Sequence, residues 1–96
     1  MPLIHVVCFR YKPEVDAAAR QGHRDRLRAF RDIEGVRALQ VGEDVIRSSR
    51  AYDTGLVVTF RDRAALDVYQ THPRHVPVAQ WGVANCDHIV SVDFEE

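Results

Sequence analysis

Two segments of this sequence are apolar on both sides if they form strands, and this property most limits the folds open to the chain. Residues 3–11 (LIHVVCFRY) are rich in the β-branched and aromatic residues that favour strands. Because strand side chains alternate, its two faces carry, respectively, Leu3, Val7 and Phe9, and Ile4, Val6 and Cys8. Residues 54–60 (TGLVVTF) repeat this pattern, with Leu56, Val58 and Phe60 opposite Val57 and Thr59. Both strands therefore need cover on both faces.

Helical periodicity predicts a helix after the first of these strands. It begins at about Asp16, which can cap it, and ends near Gly35, which can adopt left-handed backbone. The predicted buried stripe is Val15, Ala19, Gly22, His23, Leu27 and Phe30. The predicted solvated side is Arg20, Arg24, Arg28 and Arg31.

A second helix is predicted to follow the strand at 54–60. Asp62 can cap it, and Pro73 ends or kinks it at His72, because the residue before proline disfavours helical geometry. Its predicted inner side is Ala65, Leu66 and Tyr69. Residues 75–84 are expected to form a further turn or short helix.

Two more strands complete a strand–helix–strand–strand–helix–strand order. They are predicted at 36–46, with a bulge at Gly42, and at 88–94. This order is the ferredoxin-like βαββαβ plan, an α+β fold in which right-handed crossovers put both helices on one face of a four-stranded antiparallel sheet. The other face would be left apolar, so we expect a homodimer in which two sheet faces meet in a barrel-like core.

Composition narrows the classes of function. The 96 residues, with 13 basic and 14 acidic side chains, predict a single domain over 1–96 and give no basic field for nucleic acid. The segment MPLIHVVCFRYK lacks the features of a signal peptide or a membrane span. Two cysteines, Cys8 and Cys86, suggest reduced thiols in a cytoplasmic protein. We expect no nucleic-acid or membrane partner.

The segment YQTHPRHVPVAQW, residues 69–81, concentrates the residues able to do chemistry. Tyr69, His72 and His75 follow one another at three-residue spacing. A histidine exchanges protons near neutral pH, and a tyrosine hydroxyl can donate to a developing enolate oxygen. His75 as base, Tyr69 as donor and His5 as a further polar contact would suit proton abstraction beside a carbonyl.

Three segments resemble one family. HVVCFRYKP at 5–13, ALDVYQTHPRHVPV at 65–78 and VSVDF at 90–94 are similar, in register over nearly the whole chain, to the stress-responsive dimeric A/B barrel (Dabb) family. The pattern Y-x-x-H-P-x-H is the most specific of these. The resemblance implies a ferredoxin-like dimer but no single activity.

The resemblance also implies candidate residues. A plant polyketide cyclase of the family is similar at His5, Tyr69, His72 and His75; there the histidine at the position of His75 is held to be the base and the tyrosine at that of Tyr69 its partner. A pocket tyrosine of that enzyme falls near Arg26, and an arginine there would alter both the shape and the charge of the pocket. Further candidate ligand-binding residues are His72, His23, Arg26, Phe30 and Trp81.

Several interpretations of these residues stay open. The first is a small-molecule binding module with an apolar or carbonyl-containing ligand, the second a cofactor-free cyclase-like or isomerase-like enzyme, and the third a structural or protective oligomer without a site. The histidines and the tyrosine can also serve only to end a helix and satisfy neighbours. Zinc on His5, His72 and His75 is the weakest option, since no H-E-x-x-H or C-x-x-C accompanies them. No metal or other cofactor is expected.

Overall fold

One antiparallel sheet organises the molecule. The structure, a computed structural model, describes residues 1–96. The strands are β1 (Leu3–Tyr11), β2 (Val36–Glu43), β3 (Thr54–Phe60) and β4 (Cys86–Glu95), and they lie in the order β2-β3-β1-β4. The two segments that are apolar on both sides therefore form the centre of the sheet, and the edge strands protect them. The predicted ferredoxin-like plan is confirmed.

Three helices cover one face of this sheet. They are α1 (Ala17–Arg28), extended by a 3-10 turn at Ala29–Asp32, then α2 (Arg63–Gln70) and α3 (His75–Asn85). Asp16 and Asp62 cap α1 and α2 as predicted, each carboxylate accepting a backbone N–H three residues on. The break between α2 and α3 falls around Pro73, and the further helix predicted at 75–84 is a full α3.

The core lies between the helices and the inner face of the sheet. On β1 this face carries Leu3, His5, Val7, Phe9 and Tyr11, all of them buried. The opposite face of β1 is half-buried, and on β4 the neighbouring Val90, Val92 and Phe94 are exposed. The helices therefore cover one face of the sheet, whereas the other face is apolar and exposed.

The structure corrects three details of the sequence-based prediction. Strand β2 ends at Glu43 rather than at 46, and its irregularity lies between Val36 and Ala38 rather than at Gly42. Arg24 was placed on the solvated side but is only 4% exposed. Its guanidinium donates to Thr54 Oγ1 on β3 at 3.1 Å, so this buried helix position is occupied by a hydrogen-bonded arginine.

Candidate functional site in a cavity between helices and sheet

A cavity of about 230 Å³ lies between the helix layer and the inner face of β1. Ten of its fourteen lining residues are hydrophobic, with Tyr69 counted among them, and the other four are His5, His23, His75 and Ser91. One polar group comes from each of β1, α1, α2 and α3: His5, His23, Tyr69 and His75. A larger open depression of about 480 Å³ lies over β2 and β3 but contains none of these four residues. The smaller cavity is therefore the candidate site.

Tyr69 lines the cavity and carries a buried hydroxyl without a partner. Its ring packs edge-on against Phe60 and Phe30, with centroid separations of 4.9 and 5.7 Å, and the residue is 1% exposed. The hydroxyl has no hydrogen-bond partner in the protein. Burial raises the pKa of this phenol, because the phenolate would be poorly solvated. The group is thus a protonated donor with no acceptor of its own.

His75 lies against Tyr69, with the ring centroids 4.4 Å apart. Its Nδ1 is 3.2 Å from the Gln70 carbonyl oxygen. A carbonyl can only accept, so Nδ1 carries the proton and Nε2 is left with the lone pair. Burial lowers the pKa of His75, and the nearby His5 and His72 act in the same direction. The ring is therefore a neutral imidazole suited to accept a proton.

His5 is oriented by a carboxylate that the sequence analysis missed. Its Nδ1 contacts Asp93 Oδ1, and the two residues face each other in the β1–β4 register. The carboxylate accepts from Nδ1–H, which leaves Nε2 as the ring nitrogen free for a ligand. In the sequence, the only sign of this pair is the position of Asp93 in the apolar segment VSVDF. Strand alternation puts its side chain on the face opposite to Val92 and Phe94.

His23 lines the cavity from α1. It is 1% exposed, packs edge-on against Phe9 at 4.8 Å and stacks on Trp81 at 4.9 Å. Its Nδ1 is 2.7 Å from the Tyr11 hydroxyl. Burial, with the nearby charges of Arg26 and Arg24, lowers the pKa of His23 to about 4. The imidazole is neutral at physiological pH.

Three candidate residues do not line the cavity. His72 Nδ1 accepts the Arg74 backbone N–H at 3.1 Å, and its carbonyl accepts from His75, so it shapes the start of α3. Trp81 backs the His23 ring from outside. The guanidinium of Arg26 lies over the Trp81 ring at 5.1 Å and is exposed. Of the predicted ligand-binding residues, His23 and Phe30 reach the cavity.

The remaining chemical features are few. No three His, Cys, Asp or Glu side chains converge in a way that could hold a metal ion. Cys8 and Cys86 are unpaired, and burial raises the pKa of the Cys86 thiol to about 11. None of the helices has the length and apolar character needed to cross a membrane.

Comparison with known proteins decides the family. The model of the stress responsive A/B barrel domain, Dabb, matches residues 3–96. The chain belongs to the Dabb family. The family predicted from the sequence segments is thereby confirmed, while no curated protein matches this Dabb domain.

Solved structures agree with this Dabb fold. A dimeric ferredoxin-like protein of unknown function from Jannaschia sp. CCS1 is 29% identical, with a TM-score of 0.84 and 100% coverage of both chains. A dimeric ferredoxin-like protein of unknown function from Thermobifida fusca YX is 21% identical, with a TM-score of 0.91, covering 100% of this chain and 92% of that one. A hydroxynitrile lyase from Passiflora edulis is 16% identical, with a TM-score of 0.86 and coverage of 97% and 91%. The last two show the fold alone.

Proposed function

We propose that this Dabb domain is a homodimer that binds a small, mostly apolar molecule through a carbonyl oxygen. The cavity is the binding site, and Tyr69 is the hydrogen-bond donor. The cavity volume of about 230 Å³ is below the ~300–1,000 Å³ of pockets for drug-sized ligands, which favours a small molecule.

The unpartnered Tyr69 hydroxyl is the observation that carries this proposal. A buried donor without an acceptor costs about 1–3 kcal/mol, so proteins rarely keep one without a reason. Here the hydroxyl belongs to a residue that lines a cavity, and the ring is held by packing on three sides. A ligand oxygen that accepted this hydrogen bond would remove the energetic cost of the unpartnered hydroxyl.

The dimer is supported by the open face of the sheet. Phe94, Val92 and Val90 on β4 are 44%, 56% and 48% exposed and pair with Ile4, Val6 and Cys8 on β1. These residues form a continuous apolar surface on the side without helices, of the kind that marks interaction sites. Dimeric structural neighbours of the same fold also support a homodimer.

A matched pair of probes tests the ligand proposal. Acetophenone and α-methylstyrene have nearly the same shape, but only the ketone offers a carbonyl oxygen. We expect calorimetric titration to show a roughly twofold to tenfold preference for the ketone, the worth of one net hydrogen bond. Tyr69→Phe should remove the preference and keep the affinity for α-methylstyrene. Equal binding of the two probes by the unmodified protein, or a preference that survives Tyr69→Phe, would show the proposal to be wrong. If neither probe binds, the third interpretation, an oligomer without a site, is favoured.

A cofactor-free enzyme is the second candidate, and the tautomer of His75 favours it. The Gln70 carbonyl fixes the Nε2 lone pair, the lowered pKa keeps the ring neutral, and the Tyr69 donor lies beside it. His75 can take a proton from the carbon next to a carbonyl while the electron pair moves to the oxygen that Tyr69 binds.

Hydrogen exchange tests this activity without a known substrate. In D₂O, the unmodified protein should speed deuterium incorporation into the methyl group of acetophenone, as followed by proton NMR. His75→Gln keeps a polar side chain of similar reach but supplies no comparable base, and should lose the acceleration. His72→Gln is the matched control, because His72 lies outside the cavity lining. An exchange rate equal to that of buffer would contradict the enzyme.

A further inference from the structure

We infer that His23 is a second ligand-recognition residue, presenting an uncharged Nε2–H donor to an acceptor oxygen at the end of the ligand remote from Tyr69. This inference rests on the proposed function and extends it. The ligand class becomes a small apolar molecule with an oxygen acceptor at each end.

A chain of buried hydrogen bonds fixes the tautomer of His23. The chain runs from Arg24 Nη1 to Thr54 Oγ1 at 3.1 Å, from Thr54 to the Tyr11 hydroxyl at 3.0 Å, and from Tyr11 to His23 Nδ1 at 2.7 Å. Arginine only donates, so Thr54 Oγ1 accepts from it. The Thr54 hydroxyl proton therefore still needs an acceptor.

Only one direction of this chain gives both hydroxyl protons an acceptor. If Thr54 donates to Tyr11, the Tyr11 proton goes to His23 Nδ1, and both hydroxyl protons have acceptors; the Arg24 Nε–H is unpartnered in either direction. If Tyr11 donated to Thr54 instead, the Thr54 hydroxyl proton would have no acceptor at a residue only 2% exposed. Buried donors are rarely left in that state. His23 Nδ1 therefore accepts, and the proton of the neutral ring is on Nε2.

The Nε2 edge of His23 lies beside Gly82 on α3. Nε2 has no hydrogen-bond partner in the protein, and His23 lines the cavity. A Cβ atom at Gly82 would lie 3.7 Å from Ile89 Cδ1 and 3.9 Å from both Nε2 and Phe9 Cε1, so a side chain there would pack against this edge of the ring. Stacking on the Trp81 ring and the hydrogen bond between the Tyr11 hydroxyl and Nδ1 hold the His23 ring in place.

The two polar ends are well separated. His23 packs on Phe9, whereas Tyr69 is near His5, with centroids 6.2 Å apart. His5 and Phe9 are four residues apart on β1, about 13 Å along the strand at ~3.3 Å per residue. Apolar side chains such as Val7 and Leu27 line the space between them. A charged group at the His23 end is disfavoured, because His23 supplies a donor without a charge; its pKa of about 4 keeps it neutral.

The tautomer can be read directly on the unmodified protein. Nitrogen-15 NMR of the imidazole rings, with His23→Phe used only for assignment, should show His23 protonated at Nε2 and unprotonated at Nδ1 between pH 5.5 and 8. Tyr11→Phe removes the hydroxyl proton that Nδ1 accepts, and should populate the other tautomer. A proton on Nδ1 in the unmodified protein would overturn the inference.

Binding is tested with 4-methoxyacetophenone and 4-ethylacetophenone, which differ by one ether oxygen in place of a methylene. The unmodified protein should prefer the methoxy compound about threefold to tenfold, in line with one hydrogen bond, and the His23 Nε2 signal should shift on its addition. His23→Phe should abolish the preference. Gly82→Ala should reduce the preference, because the added methyl carbon would lie in contact with Nε2 at 3.9 Å, although alanine favours the helix. Gly22→Ala, with nothing within 4 Å of the added carbon, is the matched control and should keep the preference.

The outcomes separate this inference from the proposed function. Equal affinity for the two ketones, together with a Tyr69-dependent preference for acetophenone over α-methylstyrene, would overturn the role of His23 alone. A preference for the methoxy compound that persists in both His23→Phe and Gly82→Ala would also overturn it. If the unmodified protein binds neither of these two ketones but keeps the Tyr69-dependent preference for acetophenone, the role of His23 alone is overturned; if it binds neither of them nor acetophenone, both proposals fail.

Discussion

At the residue scale, two tyrosines in the same core have opposite hydrogen-bonding states. The Tyr11 hydroxyl bonds to His23 and Thr54, whereas the Tyr69 hydroxyl bonds to nothing. We expect Tyr69→Phe to raise the free energy of unfolding of the ligand-free protein by about 1 kcal/mol, because it removes an unsatisfied group. Tyr11→Phe should lower it by about 1–3 kcal/mol. Urea unfolding at one fixed protein concentration measures both. Equal losses in the two variants would contradict an unpartnered Tyr69.

His23 should make the protein sensitive to mild acid. Its pKa is about 4 in the folded protein and 6.5 in the unfolded chain, so between these values the unfolded state binds more protons. The free energy of unfolding is then fully retained above pH 6.5 and falls as the pH drops towards 4, by on the order of 3 kcal/mol at ~1.36 kcal/mol per pKa unit. Urea unfolding from pH 7.5 to 4.5 should show this decline, and His23→Phe should flatten it. If the free energy of unfolding of His23→Phe falls with pH as steeply as that of the unmodified protein, another group causes the acid sensitivity.

At the element scale, one glycine decides how α2 docks against the start of β2. Gly35 has φ of 91°, and a Cβ atom there would lie 2.6 Å from the Ala65 Cβ on α2. Gly35→Ala should lower the free energy of unfolding by about 2–4 kcal/mol, from left-handed backbone strain and overlap together. Gly22→Ala in α1 should instead raise it by about 0.5–1 kcal/mol. Thermal and urea unfolding compare the two; a small effect at Gly35 would mean that α2 can shift at little cost.

The same elements show what the sequence could and could not predict. The caps Asp16 and Asp62 and the break at Pro73 were predictable, because each acts on backbone within a few residues. The burial of Arg24 was not, because its acceptor Thr54 is thirty residues away. Asp93 was missed for the same reason: its partner His5 meets it only through the β1–β4 register. The tautomer of His23 likewise depends on a chain of contacts across three elements.

At the scale of the whole molecule, the two faces of the sheet have separate tasks. The inner face of β1 provides His5, Val7 and Phe9 to the cavity. The outer face of the same strand contributes Ile4 and Val6 to the apolar surface that, by our proposal, a second copy covers. Because strand side chains alternate, a one-residue slip of β1 would exchange the two sets and disturb both. The site and the dimer therefore depend on one register.

The outer surface gives a test with a closely matched control. Val92 on the open face of β4 and Val68 on the outer side of α2 are both 56% exposed, so exposure in one chain does not distinguish them. We expect Val92→Asp to weaken dimerisation by more than a hundredfold, since an unpaired charge buried in an interface costs about 3–5 kcal/mol. Val68→Asp should leave the dimer intact, because α2 lies on the opposite side of the sheet. Sedimentation velocity at micromolar concentration should give the unmodified protein and Val68→Asp twice the chain mass of 11.0 kDa, and Val92→Asp the chain mass itself. A dimer that persists in Val92→Asp would place the interface on another surface. A monomeric unmodified protein would leave this apolar face uncovered and contradict the proposed assembly.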